Sequence, residues 1–208
     1  MSLSMYADQP VSTQVLLGLL KGYNRPYDKI LEMVGKGFIF QLRKGLYVTT
    51  PLVSPITPEP FLIANHLYGP SYVSLDSALF YWGIIPERVY EISSVTTRPS
   101  KKFQPGNMTY SFTHLPAAYY PLGIQSLALT EKQTVMIAGP EKCLCDKVVT
   151  TSGVNLRSKK QAMAFLVEDL RIEKDSLREL NVKEIVKWVP VCPKRNSIQI
   201  LIEAIADL

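Results

Sequence analysis

The residues best able to do chemistry are basic side chains within the first 50 residues. Arg43 and Lys44 are adjacent in a predicted turn, beside Gly45, which can adopt the positive φ that such a turn needs. This segment holds six Lys and Arg against three Asp and Glu, a balance of +3, while the whole chain carries +5. Cations on a protruding turn can reach nucleic-acid phosphates. Because adjacent Lys and Arg occur in many surface turns, the charges alone permit nucleic-acid binding without requiring it.

The elements around these cations predict a DNA-binding arrangement. Apolar residues at helical spacing predict a helix over 12–22, and Pro26 suits the first turn of a second helix that ends near 35–37. Two β-prone runs, 38–42 and 46–50, then predict a hairpin with a basic tip. Two helices followed by a hairpin describe a reduced winged helix, in which the second helix enters the major groove. The predicted DNA contacts are Arg25, Tyr27, Lys29 and Lys36 at the groove and Arg43 and Lys44 on phosphate.

The rest of the chain predicts a second, larger unit. Four prolines between 51 and 60 indicate a stiff linker. Beyond it, β-prone runs and helical patterns alternate, and the tail is helical. The predicted fold class is therefore α+β, with a winged-helix-like domain at 1–50, a linker at 51–60 and a mixed α/β domain at 61–208 that ends in a helical tail. The predicted strands are 90–97, 108–115, 125–129 and 134–138, and the predicted helices are 59–66, 74–82, 140–150, 158–170, 182–189 and 197–206.

Enzyme and metal signatures are missing from the sequence. It has no phosphate-binding glycine loop, no nucleophile elbow and no Asp-x-Asp pair for magnesium. Only three cysteines and two isolated histidines, His66 and His114, could supply soft metal ligands. The longest charge-free stretch, 103–130, contains three prolines and cannot be a lipid-facing helix. We therefore expect a cytoplasmic protein that is not an enzyme, needs no metal or cofactor and does not enter a membrane.

Three stretches resemble one known family, the AbiEi-type antitoxins, which are predicted transcriptional regulators of phage abortive-infection systems. Arg-Lys-Gly-Leu-Tyr-Val at 43–48 resembles the end of that family's wing. Gly-Pro-Ser-Tyr-Val-Ser-Leu-Asp-Ser-Ala-Leu at 69–79, followed by Tyr-Trp-Gly-Ile-Ile-Pro-Glu at 81–87, is similar to its longest motif. Ile-Ala-Gly-Pro-Glu-Lys-Cys-Leu-Cys-Asp at 137–146 is similar to its Pro-Glu-Lys element.

The resemblance implies a repressor that is also an antitoxin. In that family the winged helix binds double-stranded DNA upstream of its own operon. The larger domain opposes a nucleotidyltransferase-like toxin, which makes the pair a type IV toxin–antitoxin system. The motif residues have two open interpretations: they define the fold of the larger domain, or they form a functional surface. The polar residues of such a surface would be Tyr72, Ser74, Glu141, Lys142 and Asp146.

The sequence is compatible with two other functions. The N-terminal unit is a docking module in one of them, and the larger domain opposes the toxin without any DNA binding. In the other, the larger domain is an enzyme that acts on a nucleotide or nucleic acid. Further basic residues, Arg98 with Lys101 and Lys102 and a group at 157–160, fit either a wider nucleic-acid surface or an acidic partner. The sequence leaves the operator, the toxin's target and the oligomeric state open.

Overall fold

The computed structural model describes residues 3–87 and 89–208, and its fold is α+β. An N-terminal unit, residues 3–50, carries a three-stranded antiparallel sheet of order β1-β3-β2. Its strand β1 is absent from the sequence-based prediction because it spans only two residues. The elements of this unit are a 3-10 turn at Leu3–Tyr6, β1 (Val11–Ser12), α1 (Thr13–Leu19), α2 (Pro26–Gly35), β2 (Ile39–Arg43) and β3 (Leu46–Thr49).

Local sequence explains where these helices begin. The Ser12 hydroxyl accepts the Val15 N–H at 3.4 Å, which caps the start of α1. Pro26 occupies the first turn of α2, where its missing N–H is not needed. Gly45 turns the hairpin with a φ of +86°. The two predicted helices and the predicted hairpin are therefore present in this order.

The hairpin separates two hydrophobic cores. Strand side chains alternate between two faces of a sheet, and one face here presents Ile39 and Tyr47 to a small core shared with α1 and α2. The side chains of Leu42, Leu46 and Val48 pack instead into the core of the larger unit. The hairpin is thus an integral part of both packing units.

The proline-rich stretch between the two units is held in place. The Gln133 side chain accepts the Glu59 N–H at 2.7 Å and donates to the Thr57 carbonyl at 3.3 Å. Ser54 is also buried. These contacts fix the stretch against the turn that joins the last two strands of the large sheet.

The larger unit, residues 60–208, is built on a six-stranded mixed sheet of order β6-β7-β5-β4-β9-β8. The β4–β9 and β5–β7 pairs are parallel, and the other neighbouring pairs are antiparallel. The sequence did not predict the short strands β4 and β6, because three residues are too few to show a β pattern. The strands are β4 (Ser71–Val73), β5 (Glu91–Thr96), β6 (Lys101–Phe103), β7 (Thr109–His114), β8 (Ile124–Ala128) and β9 (Thr134–Ala138).

Helices cover this sheet and continue into the tail. Pro60 and Pro140 each start a helix at its first turn. The predicted helix at 158–170 is an α-helix that becomes a π-helix at Ala164–Asp169. The tail ends in a 12-residue amphipathic helix with Ile198 and Leu201 buried. The helices are α3 (Pro60–Leu67), α4 (Leu75–Tyr81), α5 (Pro140–Thr150), α6 (Lys159–Met163), α7 (Lys174–Arg178), α8 (Val182–Trp188) and α9 (Arg195–Ala206).

Candidate functional site

The outer surface of α2 presents the residues predicted to enter a DNA groove. Tyr27, a predicted groove contact, is 63% exposed, and Leu31, one helical turn later and not among the predicted contacts, is 69% exposed. Arg25 precedes the helix, and its guanidinium lies 3.4 Å from the Asp28 carboxylate with both side chains exposed. A solvent-facing Leu and Tyr on one helix face are apolar surface that the protein itself leaves uncovered.

Two of the predicted cations share one carboxylate. Lys29 and Lys36 approach Glu32 at 2.9 and 2.7 Å, one from each side. Hydrogen bonds from Lys36 and then Lys29 lower the pKa of Glu32 to about 2. The bond to Glu32 likewise raises the pKa of Lys29. The three side chains therefore carry a net charge of +1 in a solvent-exposed network, where ion pairs are weak.

The two residues of the hairpin tip have different environments. Arg43 Nε donates to the Leu67 carbonyl at 2.8 Å, and its Nη1 donates to the Lys44 carbonyl at 3.2 Å. Arg43 thus holds the hairpin against the end of α3. The sequence predicted a phosphate contact for Arg43 and did not predict this bond to the Leu67 carbonyl. Lys44 is exposed and has no ion pair among the described residues.

A surface cleft joins the helix to the hairpin tip. It has a volume of about 340 Å³, and Tyr27, Leu31 and Lys44 line it together with Thr13 and Tyr47. The predicted groove helix and the predicted wing therefore meet on one continuous surface. We refer to the exposed side of α2, this cleft and Lys44 as the α2–hairpin face.

Basic and aromatic side chains of the larger unit lie beside the braced hairpin. Tyr68 follows Leu67, the residue that accepts the bond from Arg43. The Arg98 guanidinium and the Lys101 ammonium lie 5.3 and 5.8 Å from the centre of the Tyr68 ring. Sequence reasoning noted both cations but missed Tyr68, because nothing in the local pattern places this tyrosine between them.

The polar residues of the two longer motifs meet in the interior. Tyr72 and Ser74 donate their hydroxyls to Asp146 Oδ2 at 2.9 and 2.8 Å, and Lys142 Nζ lies 3.0 Å from Asp146 Oδ1. All four residues have no exposed surface. The structure supplies this arrangement because Tyr72 lies in β4 and Ser74 directly follows that strand, while α5 presents Lys142 and Asp146 one turn apart. We call Tyr72, Ser74, Lys142 and Asp146 the polar cluster.

The polar cluster is closed to solvent, so its four members do not form the surface that the sequence suggested. Lys142 also donates to the Tyr119 carbonyl at 3.1 Å, and its ammonium lies 3.3 Å from the centre of the Tyr119 ring. Burial lowers the pKa of Lys142 and raises that of Asp146, while their mutual attraction opposes both shifts. Five surface clefts of the described residues are lined by residues outside the cluster.

Glu141, the fifth residue of the suggested surface, points elsewhere. It is half-buried, and its carboxylate accepts the Asn181 N–H at 2.8 Å, which joins the start of α5 to the start of α8. The five residues thus join elements that are distant in sequence. This arrangement favours the interpretation that the motifs define the fold.

Potential metal ligands do not gather in residues 3–87 and 89–208, where no group of three or more His, Cys, Asp or Glu could hold an ion. The three cysteines are buried, and burial raises the pKa of Cys143 and Cys145 well above the usual thiol value. No helix in the same residues is long and apolar enough to cross a membrane.

Comparison with known proteins finds similarity to solved structures but not to a family model or a curated protein. No protein-family model matches the sequence, and no curated protein is significantly similar to it. Among solved structures, the chain is similar to the crystal structure of the Rv2827c protein from Mycobacterium tuberculosis, with a TM-score of 0.61 and 15% sequence identity. The match covers 98% of this chain and 74% of that one. At this identity the similarity shows a shared fold and does not transfer a function.

Proposed function

We propose that this protein is a transcriptional repressor that binds double-stranded DNA upstream of its own operon, and an antitoxin of the type IV kind. The observation that carries the DNA-binding part is the α2–hairpin face, on which an exposed helix and an exposed hairpin cation adjoin one cleft. In a winged helix, the helix before the hairpin reads the major groove and the hairpin contacts backbone phosphate. Tyr27 and Leu31 then offer apolar contacts to thymine methyl groups.

The ion pairs on α2 are compatible with DNA binding. Exposed pairs contribute about 0–1 kcal/mol, so a phosphate can replace Glu32 as the partner of Lys29 and Lys36. Arg25 is equally exposed in its contact with Asp28. With Lys44, four cations are available for phosphate, since Arg43 is engaged by Leu67. Four contacts predict that log K falls with log[salt] with a slope of about −3.6.

A second group of cations lies on the larger unit. Arg98 and Lys101 lie against Tyr68, the residue after Leu67, to which Arg43 of the hairpin bonds, and they are not among the four phosphate contacts counted above. Lys102 is partly neutralised by Glu91 at 3.2 Å and is the weaker candidate.

The antitoxin part of the proposal is based on the motif resemblance and on what the motifs do in this chain. Both longer motifs contribute to the polar cluster, which is buried and holds α5 against the sheet. Opposition to a nucleotidyltransferase-like toxin then depends on the folded surface of the larger unit, and no catalytic group is assigned to it.

A paired assay in cells tests the two parts separately. Repression is measured with a reporter driven by the upstream region, and antitoxin activity is measured as growth during expression of the neighbouring gene. Lys44→Ala should weaken repression and leave growth rescue intact, while the matched control Lys183→Ala, an exposed lysine on α8, should change neither. Absence of repression by the wild-type protein would refute the DNA-binding part, and absence of growth rescue would refute the antitoxin part.

One alternative has a structural observation in its favour. Five of the six predicted DNA-contacting residues are cations, and four of these cations already have partners within the chain. A docking module that binds no DNA would have such internal pairing. In that case, replacing both Arg43 and Lys44 by Ala leaves growth rescue unchanged and the reporter never responds to the wild-type protein.

A further inference from the structure

The two edges of the six-stranded sheet are protected differently. Strand β6 forms one edge and carries Lys101 and Lys102, and charged side chains on an edge discourage pairing with another strand. Strand β8 forms the other edge and reads Ile-Gln-Ser-Leu-Ala, with no charge and no proline. An uncharged open edge of five residues is a template for pairing with a further strand.

The hydrogen bonds of β8 show which of its backbone groups face outward. Gly139 donates to the Gly123 carbonyl and Leu129 donates to the Gln133 carbonyl, both at 2.9 Å. In an antiparallel pair, alternate residues bond to the neighbouring strand. Residues 123, 125, 127 and 129 therefore bond inward to β9, and the N–H and C=O groups of Ile124, Ser126 and Ala128 face away from it.

The register of β9 supports this assignment. Ser126 lies opposite Met136. The backbone groups of Met136 are taken by the Asn65 side chain, which accepts its N–H at 2.7 Å and donates to its carbonyl at 3.2 Å. Met136 therefore bonds away from β8, so Ser126 has no bond from that side. In the described part of the chain, no contact satisfies the outward groups of Ile124, Ser126 and Ala128.

We propose that a second copy of this chain covers this edge by antiparallel pairing of β8 with β8, with a two-fold axis at Ser126. The three outward-facing residues are spaced evenly about Ser126. A two-fold axis therefore places Ile124 opposite Ala128 of the second copy and Ser126 opposite its own equivalent. Every outward N–H and C=O of the strand then has a partner. Each chain carries a net charge of +5, and β8 itself carries no charge, so pairing of two copies along this strand brings no like charges of the strand together.

A charge-exchange experiment tests the register of this dimer. Ser126 is exposed, so a longer side chain fits there without entering the core. In the dimer, S126K brings two ammonium groups face to face across a strand pair with a Cα separation of about 5.5 Å, and S126E does the same with two carboxylates. Each variant alone should raise the dimer dissociation constant about threefold to fivefold at low salt. An equimolar mixture of the two should restore a dimer of one copy of each.

The readout is mass by light scattering and sedimentation between about 1 and 100 µM, with far-ultraviolet circular dichroism to confirm folding. S152K and S152E, which make the same charge changes at an exposed turn, are the controls and should remain as dimeric as the wild type. Three results would each overturn the proposal: a wild-type protein that stays monomeric, S126K that dimerises normally, or a mixture that fails to recover the dimer. A monomeric wild-type protein would leave this edge to a different partner protein. The test needs no DNA, so its result is independent of the proposed repressor function.

Discussion

Removing Lys142 should destabilise the larger unit strongly, because Asp146 would then be buried without its cation. Neither side chain has any exposed surface, and the two charged groups are 3.0 Å apart. Removing one partner of a buried pair costs about 3–5 kcal/mol. The Tyr72 and Ser74 hydroxyls still donate to Asp146 in Lys142→Met, so we expect a loss near 3 kcal/mol. In Asp146→Leu the same hydroxyls and the ammonium all lose their acceptor, so we expect about 4 kcal/mol.

The double variant separates an uncompensated charge from a simple loss of packing. Replacing both partners by apolar residues of similar volume is often neutral or stabilising. Lys142→Met with Asp146→Leu should therefore lose less stability than either single change. The two single losses add up to about 7 kcal/mol and the double variant should lose less than about 3, so the expected coupling free energy is at least about 4 kcal/mol, which is large for a contacting pair.

Equilibrium urea unfolding measures these changes. Trp188 provides a local fluorescence signal, because its ring and the side chain of Lys142 both lie close to Gly123. For a chain of this size a loss of 3–4 kcal/mol lowers the melting temperature by about 10 °C. A loss below about 1 kcal/mol in Lys142→Met, or a double variant that loses the sum of the two single changes, would refute the role assigned to the polar cluster.

Three further changes test contacts at other places. Glu32→Gln frees two ammonium groups for phosphate and should raise DNA affinity about threefold to tenfold at low salt; a matched change, Glu184→Gln on α8, should leave anisotropy titrations unaltered. Arg43→Ala removes the bond to the Leu67 carbonyl and should cost about 1.5–3 kcal/mol in urea unfolding, and a cost near zero would show that this bond does not hold the hairpin. Lys194→Met removes three bonds to carbonyls at the end of α5 and after it, and should speed amide hydrogen exchange there; unchanged exchange would contradict the capping role.

The sequence predicts the helices and strands that are identified by short-range patterns of residues. The proline at the start of α5 and the helical spacing of its apolar residues locate that helix correctly at 140–150. The longer strands β5, β7, β8 and β9 also lie where the β-prone runs predicted them. Strands β1, β4 and β6 have only two or three residues, too few to show a period, and their pairing is set by neighbours distant in the chain.

The candidate sites show the same limit for side chains. The exposure of Tyr27 follows from its place on the helix, and the sequence predicts it correctly. The burial of Asp146 could not be predicted, because an i,i+4 Lys–Asp pair is usually a solvated surface contact. Two of its three partners, Tyr72 in β4 and Ser74 just after it, lie about 70 residues before α5 and meet it only in the folded protein. Similarly, nothing near Arg43 indicates that the Leu67 carbonyl will engage it.

Binding of labelled upstream DNA, measured by fluorescence anisotropy against a scrambled duplex at two salt concentrations, tests the central claim most directly. The α2–hairpin face predicts sequence-dependent binding that weakens with salt at a slope of about −3.6, and a slope smaller by about 0.9 in Lys44→Ala. Equal affinity for the two duplexes, or a slope near zero, would contradict the claim that this face binds DNA.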